Sequence, residues 1–321
     1  TYHMAASEID LGIRRVIAVG GKLDRLACLD NFCWPDPVRS EKTPDGEYKL
    51  AQLVRANQAL ADYTKAFLVP CISGKDSMKN DSTRGGRKIS IPPSLLFSMI
   101  AKMDDVSKAV TPDAKQPGDL VYVIGMTRPE LGGSEYFAML DALGNNVPKV
   151  DAGKAKAIYK AVSAATEAEL VHSLTTPALG GLAVAFARTA MAGRLGLEID
   201  LDAIPAENCS DLEKLFSESN SRFVATVPPA NRAAFEEKLK GVTCALIGTV
   251  TMRNELILRS RNGRKTIALD ALLEEYKGTL DSILPGVFRR GAGDGGSGRF
   301  PAYTQESEVG NGGEYRHEAG D

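Results

Sequence analysis

Apolar residues recur along this chain in two rhythms, and the switches between them mark its elements. Residues 5–18 carry Ile9, Ile13, Val16 and Ile17 on one stripe at helical spacing, and Gly20-Gly21 follows as a helix stop. A second stripe (Leu50, Leu53, Val54, Leu60 and Ala61) predicts a helix over roughly 47–65, entered through the Pro-rich turn "WPDPVRSEKTPDGEY" (34–48). "AFLVPCIS" (66–73) then reads as a buried strand, and "RKISIPPSLLFSMIAKMDD" (87–105) as one or two strands broken at Pro92-Pro93.

Beyond "TPDAKQPGD" (111–119), a turn-rich stretch, the alternation continues. "LVYVIGMT" (120–127) reads as a strand, and "ELGGSEYFAML" (130–140) as a Gly-Gly turn opening a helix. Asp151 is placed as the N-cap of a helix to about Glu169, with Ile158, Tyr159, Val162 and Ala165 inward. Strands at 170–176 and 195–201 flank an Ala-rich helix at 178–193. Residues 222–227, 230–241 and 244–250 read as β-α-β, 255–260 as a strand and 268–280 as a closing helix. The class is α/β or α+β. The expected division is a first domain over 1–110, a linker at 111–118 and a second domain over 119–284. The stretch from Pro285 to Asp321, with ten glycines in 37 residues, is expected to be a flexible tail.

Composition narrows the function classes. Hydrophobic residues make up 43% and charged residues 25%, as in ordinary globular chains. A net charge of −2 gives no global basic footprint for nucleic acid. No window approaches 18 apolar residues, which argues against a membrane helix, and no signal-peptide core is visible. Five cysteines at wide spacing, with no CxxC, point away from zinc and toward a reduced, cytosolic compartment. A chain that opens inside a helix reads as a piece of something longer.

Four stretches carry candidate chemistry. In "SGKDSMK" (73–79), Gly74 admits close backbone approach, Lys75 offers charge to phosphate, Asp76 can ligate Mg²⁺ and Ser77 can donate a hydrogen bond. The spacing is not that of a P-loop, and a solvated turn is an equal reading. In "CLDNFCWPDP" (28–37), Asp30 and Asn31 offer oxygens beside Phe32 and Trp34, with an Asx-turn as the alternative. Glu218, Ser219 and Asn220 of "LFSESNSRF" can bind a polar substrate or serve as caps, as can the residues of "ELGGSEY" (130–136). His172 has no Cys or Asp beside it in sequence, so nucleophilic catalysis is not supported.

Taken in order, "HMAASEIDLGIRRVIAVGG", "LDNFCWPDP", "SGKDSMKND", "LGGSEYF", "GGLAVAFA" and "LFSESNSRF" resemble the C-terminal half of phosphoribosylformylglycinamidine synthase, of the wider aminoimidazole ribonucleotide (AIR) synthase family, over about residues 2–283. The resemblance implies an AIR synthase-like fold. A partial second A domain, whose strands join a partner's in a central barrel, would be followed by a B domain with helices on a mixed sheet. It also implies a reaction, in which ATP activates the formamide oxygen of formylglycinamide ribonucleotide and glutaminase-derived ammonia displaces phosphate. ATP and Mg²⁺ are the implied cofactors. The implied partners are a glutaminase subunit or domain, and the synthetase's N-terminal half or a homodimer mate. By resemblance Gly74, Lys75, Asp30 and Asn31 face nucleotide, Asp76 the metal, and Ser77 with Glu218, Ser219 and Asn220 the substrate. The chain alone is expected to be inactive.

There is one departure. Where the family reads His-Asp-x-Ser-Asp-Gly-Gly, this chain reads His172-Ser173-Leu174-Thr175-Thr176-Pro177-Ala178-Leu179-Gly180-Gly181. Ser173 stands where a Mg²⁺-binding Asp is expected, which opens a second reading as a non-catalytic paralogue or scaffold half.

Overall fold

The computed structural model describes residues 1–278, of which Thr1–Lys277 form one compact unit. The expectation for 285–321 lies outside the described residues. Helix α1 (Tyr2–Ala18) buries Ile9, Ile13 and Ile17 as its spacing predicts, and Gly20 follows at φ +104°. Strand β1 (Leu26–Cys33) leads to α2 (Gly46–Phe67) and β2 (Cys71–Ser77). A hairpin of β3 (Asp81–Arg84) and β4 (Arg87–Ser90) precedes β5 (Ser94–Ala101), and the break between β4 and β5 holds Pro92-Pro93. The first sheet has the order β2-β1-β5, with β1 parallel to β2 and antiparallel to β5.

One expectation here is overturned. Residues 66–73 are not a buried strand, because α2 runs on to Phe67, whose ring enters the core. Leu68 then turns left-handed (φ 58°) as the C-cap and is 83% exposed. The strand starts three residues later and is an edge strand, exposed along nearly its whole length. The segment 73–79 is therefore mostly strand rather than loop.

The second sheet is built from β6 (Leu120–Ile124), β7 (Ser173–Thr175), β8 (Gly196–Asp200), β9 (Phe223–Val227), β10 (Cys244–Thr251), β11 (Glu255–Ser260) and β12 (Gly263–Ala268). Its order is β12-β11-β8-β10-β6-β9-β7, antiparallel except for the β8/β11 pair. Helices α3 (Glu135–Met139), α4 (Ala152–Glu167), α5 (Gly181–Gly193), α6 (Asp211–Phe216), α7 (Arg232–Lys238) and α8 (Leu269–Gly278) complete the order. Asp151 caps α4 through the N–H groups of Gly153 and Lys154, as the sequence predicts.

Strand β9 is buried on both faces, and its residues are apolar except Thr226. Phe223, Ala225 and Val227 face a core shared with α1, α2, α4 and the first sheet. Val224, on the other face, packs with Leu182 and Phe186 of α5. One hydrophobic core thus joins the two sheets, and α1 lies inside it.

Candidate functional site

Parallel pairing sets Asp30 opposite Gly74, Asn31 opposite Lys75 and Phe32 opposite Asp76. Residues 44 positions apart in the chain therefore meet, as the motif reading expects of Asp30, Asn31 and Gly74–Ser77. Gly74 has a specific reason to be glycine, since a Cβ there would stand 2.9 Å from Asp30 Oδ1. The carboxylate lies over the backbone where a side chain would otherwise be.

Strand geometry also divides the group. Side chains alternate across a sheet, so Asp30, Gly74 and Asp76 share the face that carries buried Phe32. Asn31, Lys75 and Ser77 present to the other face, along with exposed Leu29, Leu96 and Ile100. One ligand can meet both faces only around the free edge of β2, which is the outer strand of its sheet. Burial, and then the nearby charge of Asp76, raise the pKa of Asp30. Two carboxylates in mutual repulsion at a glycine are an arrangement that a divalent cation relieves.

Glu218, Ser219 and Asn220 belong to a different place. They follow α6, which the sequence reading missed and which is held by a capping box between Ser210 and Glu213. Glu218 Oε1 accepts from the N–H groups of Glu135 (3.0 Å) and Gly180 (2.9 Å), pinning the starts of α3 and α5. Ser219 is buried against the Arg128 main chain, with its Oγ 3.0 Å from Arg128 N. Asn220 Nδ2 donates to Ser7 Oγ at 2.8 Å. Glu218 and Asn220 line a cavity of about 430 Å³ together with Glu8, Arg14, Arg55 and Gly133. None of Asp30, Asn31 or Gly74–Ser77 lines it. The half-buried Glu8 links the two places, for it also accepts a hydrogen bond from the main chain of Phe97, the residue opposite Asp30. Desolvation raises its pKa.

Beneath this cavity lies a polar network that sequence reading did not find. Asp10 accepts from Arg14 Nε (2.6 Å), Ser221 N (2.9 Å), Ser221 Oγ (2.7 Å) and the Tyr159 hydroxyl. Arg14 Nη1 continues to Thr176 Oγ1 (2.6 Å) and the Pro177 carbonyl (2.5 Å). Arg222, wholly buried, donates to the carbonyls of Ser219 and Ser217 and to Thr127 Oγ1. Burial, with the like charge of Arg14 second, lowers its pKa. These bonds fix the chain from 217 to 222. The signal was present in α1, where Asp10 and Arg14 sit one turn apart and each next to an isoleucine of the apolar stripe.

His172 does have an acid partner, but from a distant part of the chain: its Nδ1 lies 2.8 Å from Oδ2 of buried Asp119, the residue just before β6. Ser173 is buried and its Oγ is 2.7 Å from Thr226 Oγ1 on β9. The position is occupied by a hydroxyl pair within the sheet. Among the described residues no group of three or more His, Cys, Asp or Glu is placed to hold a metal.

Fold and sequence together define the class. Residues 116–260 match the family model described as "AIR synthase related protein, C-terminal domain". The fold is AIR synthase-like: the chain superposes on Thermotoga maritima PurL complexed with FGAR (TM-score 0.65, 20% identity, 84% of this chain and 43% of that one). It also superposes on hydrogenase maturation protein HypE in complex with ATP (TM-score 0.60, 14% identity, 83% and 78%). Within that class, the resemblance to phosphoribosylformylglycinamidine synthase is borne out. The chain is 31% identical over 285 residues to the enzyme's PurL subunit from Thermococcus sibiricus, covering 88% of this chain and 37% of the relative. It is 34% identical over 242 residues to that from Thermococcus gammatolerans, covering 75% and 31%. The chain thus spans about a third of the length of these relatives, which fits the C-terminal half expected from the motifs.

Proposed function

We propose that the chain contributes half of a composite site to an ATP- and Mg²⁺-dependent C–N ligase of purine biosynthesis. The reaction is conversion of formylglycinamide ribonucleotide to the amidine with glutamine-derived ammonia, in the cytoplasm. The observation that carries this reading is the pairing of Asp30 with Gly74 and its neighbours on adjoining strands. Asp30 and Asp76 would hold Mg²⁺, which needs only one or two protein carboxylates when phosphates complete its shell. The ion would supply charge neutralisation at the phosphates. Lys75 and Asn31, on the far face, would take the nucleotide around the strand edge, and Ser77 would face substrate. Glu218, Ser219 and Asn220 would form the second, cavity-side element of substrate binding.

The bare apolar face of the first sheet (Leu96 58% and Ile100 61% exposed) supports a partner chain, either the synthetase's other half or a second copy. A glutaminase would deliver the ammonia. The chain by itself would be inactive.

One observation favours a scaffold reading. Ser173 supplies no carboxylate, and its hydroxyl is already committed to Thr226. Equilibrium titration separates the two readings. A competent half-site shows Mg²⁺-dependent ADP or ATP binding, weakened by Lys75→Ala and, through its Mg²⁺ dependence, by Asp76→Ala. No detectable binding at millimolar nucleotide leaves the scaffold.

A further inference from the structure

Just before the Asp30–Gly74 pair, the same two strands set two cysteines side by side. Cys28 and Cys71 are register partners, and their Sγ atoms lie 3.1 Å apart. That is closer than two unbonded sulfurs ordinarily rest. Paired strands are about 4.8 Å apart, within the roughly 4.4–6.8 Å between Cα atoms that a disulfide spans. Both thiols are free. Cys28 is 2% exposed, whereas Cys71 opens to solvent on the edge strand. The other three cysteines have no cysteine opposite them: Cys33 pairs with Ser77 and Ser94, Cys244 with Ile124, and Cys209 lies outside any strand.

The register slips at this point. Cys28 faces Cys71 but Leu29 faces Ser73, leaving Ile72 as a bulge. A bulge lets one strand shift against its neighbour, and here it adjoins the two carboxylates.

We propose that Cys28 and Cys71 are an oxidisable dithiol, a covalent modification site that closes to a cross-strand disulfide under peroxide and pins the bulge. The steps balance. The exposed Cys71 thiol takes one oxygen from hydrogen peroxide to become a sulfenic acid, and the other oxygen leaves as water. The Cys28 sulfur then attacks the Cys71 sulfur, breaking its S–O bond and forming S–S, and a second water leaves. Each sulfur gives up one electron and the peroxide accepts two. The order of attack follows from access, since Cys71 opens to solvent while Cys28 is buried behind it. The inference is independent of whether the chain binds nucleotide.

The test uses the full reduced chain, treated with hydrogen peroxide, denatured and alkylated, then read by intact mass and by a non-reducing peptide map. The expected result is loss of two of the five thiols, a Cys28–Cys71 linked peptide, a rate independent of protein concentration and full reversal by dithiothreitol. Cys71→Ser should retain its remaining thiols at the same dose and lack the rise in Tm that oxidation gives the parent. Cys28→Ser should leave Cys71 trapped as a dimedone-reactive sulfenic acid. Links only between chains, links through other cysteines, or Cys71 passing to sulfinic acid while Cys28 stays alkylatable would each overturn the proposal. Should Cys28→Ser fail to fold, the parent map and Cys71→Ser decide alone.

Discussion

Arg14 Nε lies 2.6 Å from Asp10 Oδ2, one helical turn away on α1, and both side chains are shut off from water. The pair holds the second sheet to the first helix, because Asp10 also receives Ser221 N and Oγ while Arg14 reaches Thr176 and Pro177. Breaking a buried pair leaves one charge without its counterion, at a cost of about 3–5 kcal/mol. Arg14→Met should therefore lose that much stability by urea unfolding. A smaller loss for the double variant Asp10→Asn/Arg14→Met would show that the stranded charge, and not the missing contact, sets the cost.

Tyr159 gives its hydroxyl hydrogen to the same Asp10 and is wholly buried, so desolvation, reinforced by the Asp10 charge, raises its pKa well above normal. The sign follows from linkage. An unfolded tyrosine ionises near pH ~10, while the folded one keeps its proton. The unfolded state then binds fewer protons, and stability falls as pH rises above about 10. Tyr122 contributes in the same direction through burial and Glu236. Urea midpoints from about pH 9 to 11 should fall less steeply for Tyr159→Phe than for the parent. At neutral pH that variant should lose only about 0.5–1.5 kcal/mol, the net value of one hydrogen bond. An unchanged alkaline slope would mean that Tyr159 ionises alike in both states.

What the chain's pattern revealed follows from which interactions are local. The stripe Ile9, Ile13 and Ile17, the Asp151 cap and the Pro92-Pro93 break are local, and all are found where the sequence places them. The strand start after α2 was misplaced because Phe67 and Leu68 are apolar for unlike reasons, one filling the core and the other merely capping a helix in the open. The Asp30–Gly74 contact was suggested by motif order, but strand alternation, which parts Lys75 from Asp76, became visible only once 71–77 proved to be a strand. Asp119 beside His172 is the residue before β6, and Thr226 beside Ser173 comes from β9, each 53 positions away in the chain. No spacing rule in one sequence reports such pairs.

Ser173 illustrates the last point with a measurable consequence. Its hydroxyl pairs with Thr226 Oγ1 at 2.7 Å, and both residues are buried, at 1% and 0% exposure. Ser173→Ala strands the threonine hydroxyl, which costs about 1–3 kcal/mol. If the serine is structural, this loss appears in chemical denaturation while nucleotide affinity is unchanged. A fall in affinity without a fall in stability would return Ser173 to the ligand-binding residues.

Asp30 and Asp76 supply the remaining test, which needs no substrate. Burial first, then the Asp76 charge, raise the Asp30 pKa in the folded chain. A carboxyl whose folded pKa is raised contributes stability that is lost as pH rises through that pKa, so at neutral pH the ionised Asp30 costs the fold something. Asp30→Asn should thus raise the Tm of the metal-free chain slightly at pH ~7, and the gain should vanish below the carboxylate range. Magnesium should produce the same relief in the parent by supplying the missing countercharge. A ligand at ten times its Kd adds about 1.4 kcal/mol, a shift readable by thermal unfolding with millimolar MgCl₂ alone. The Asn variant should gain little from the ion, and Gly74→Ala, whose Cβ would press on Asp30 Oδ1 at 2.9 Å, should blunt the response as well. If parent and Asp30→Asn rise equally with Mg²⁺, the cation binds elsewhere and the two carboxylates are not its site.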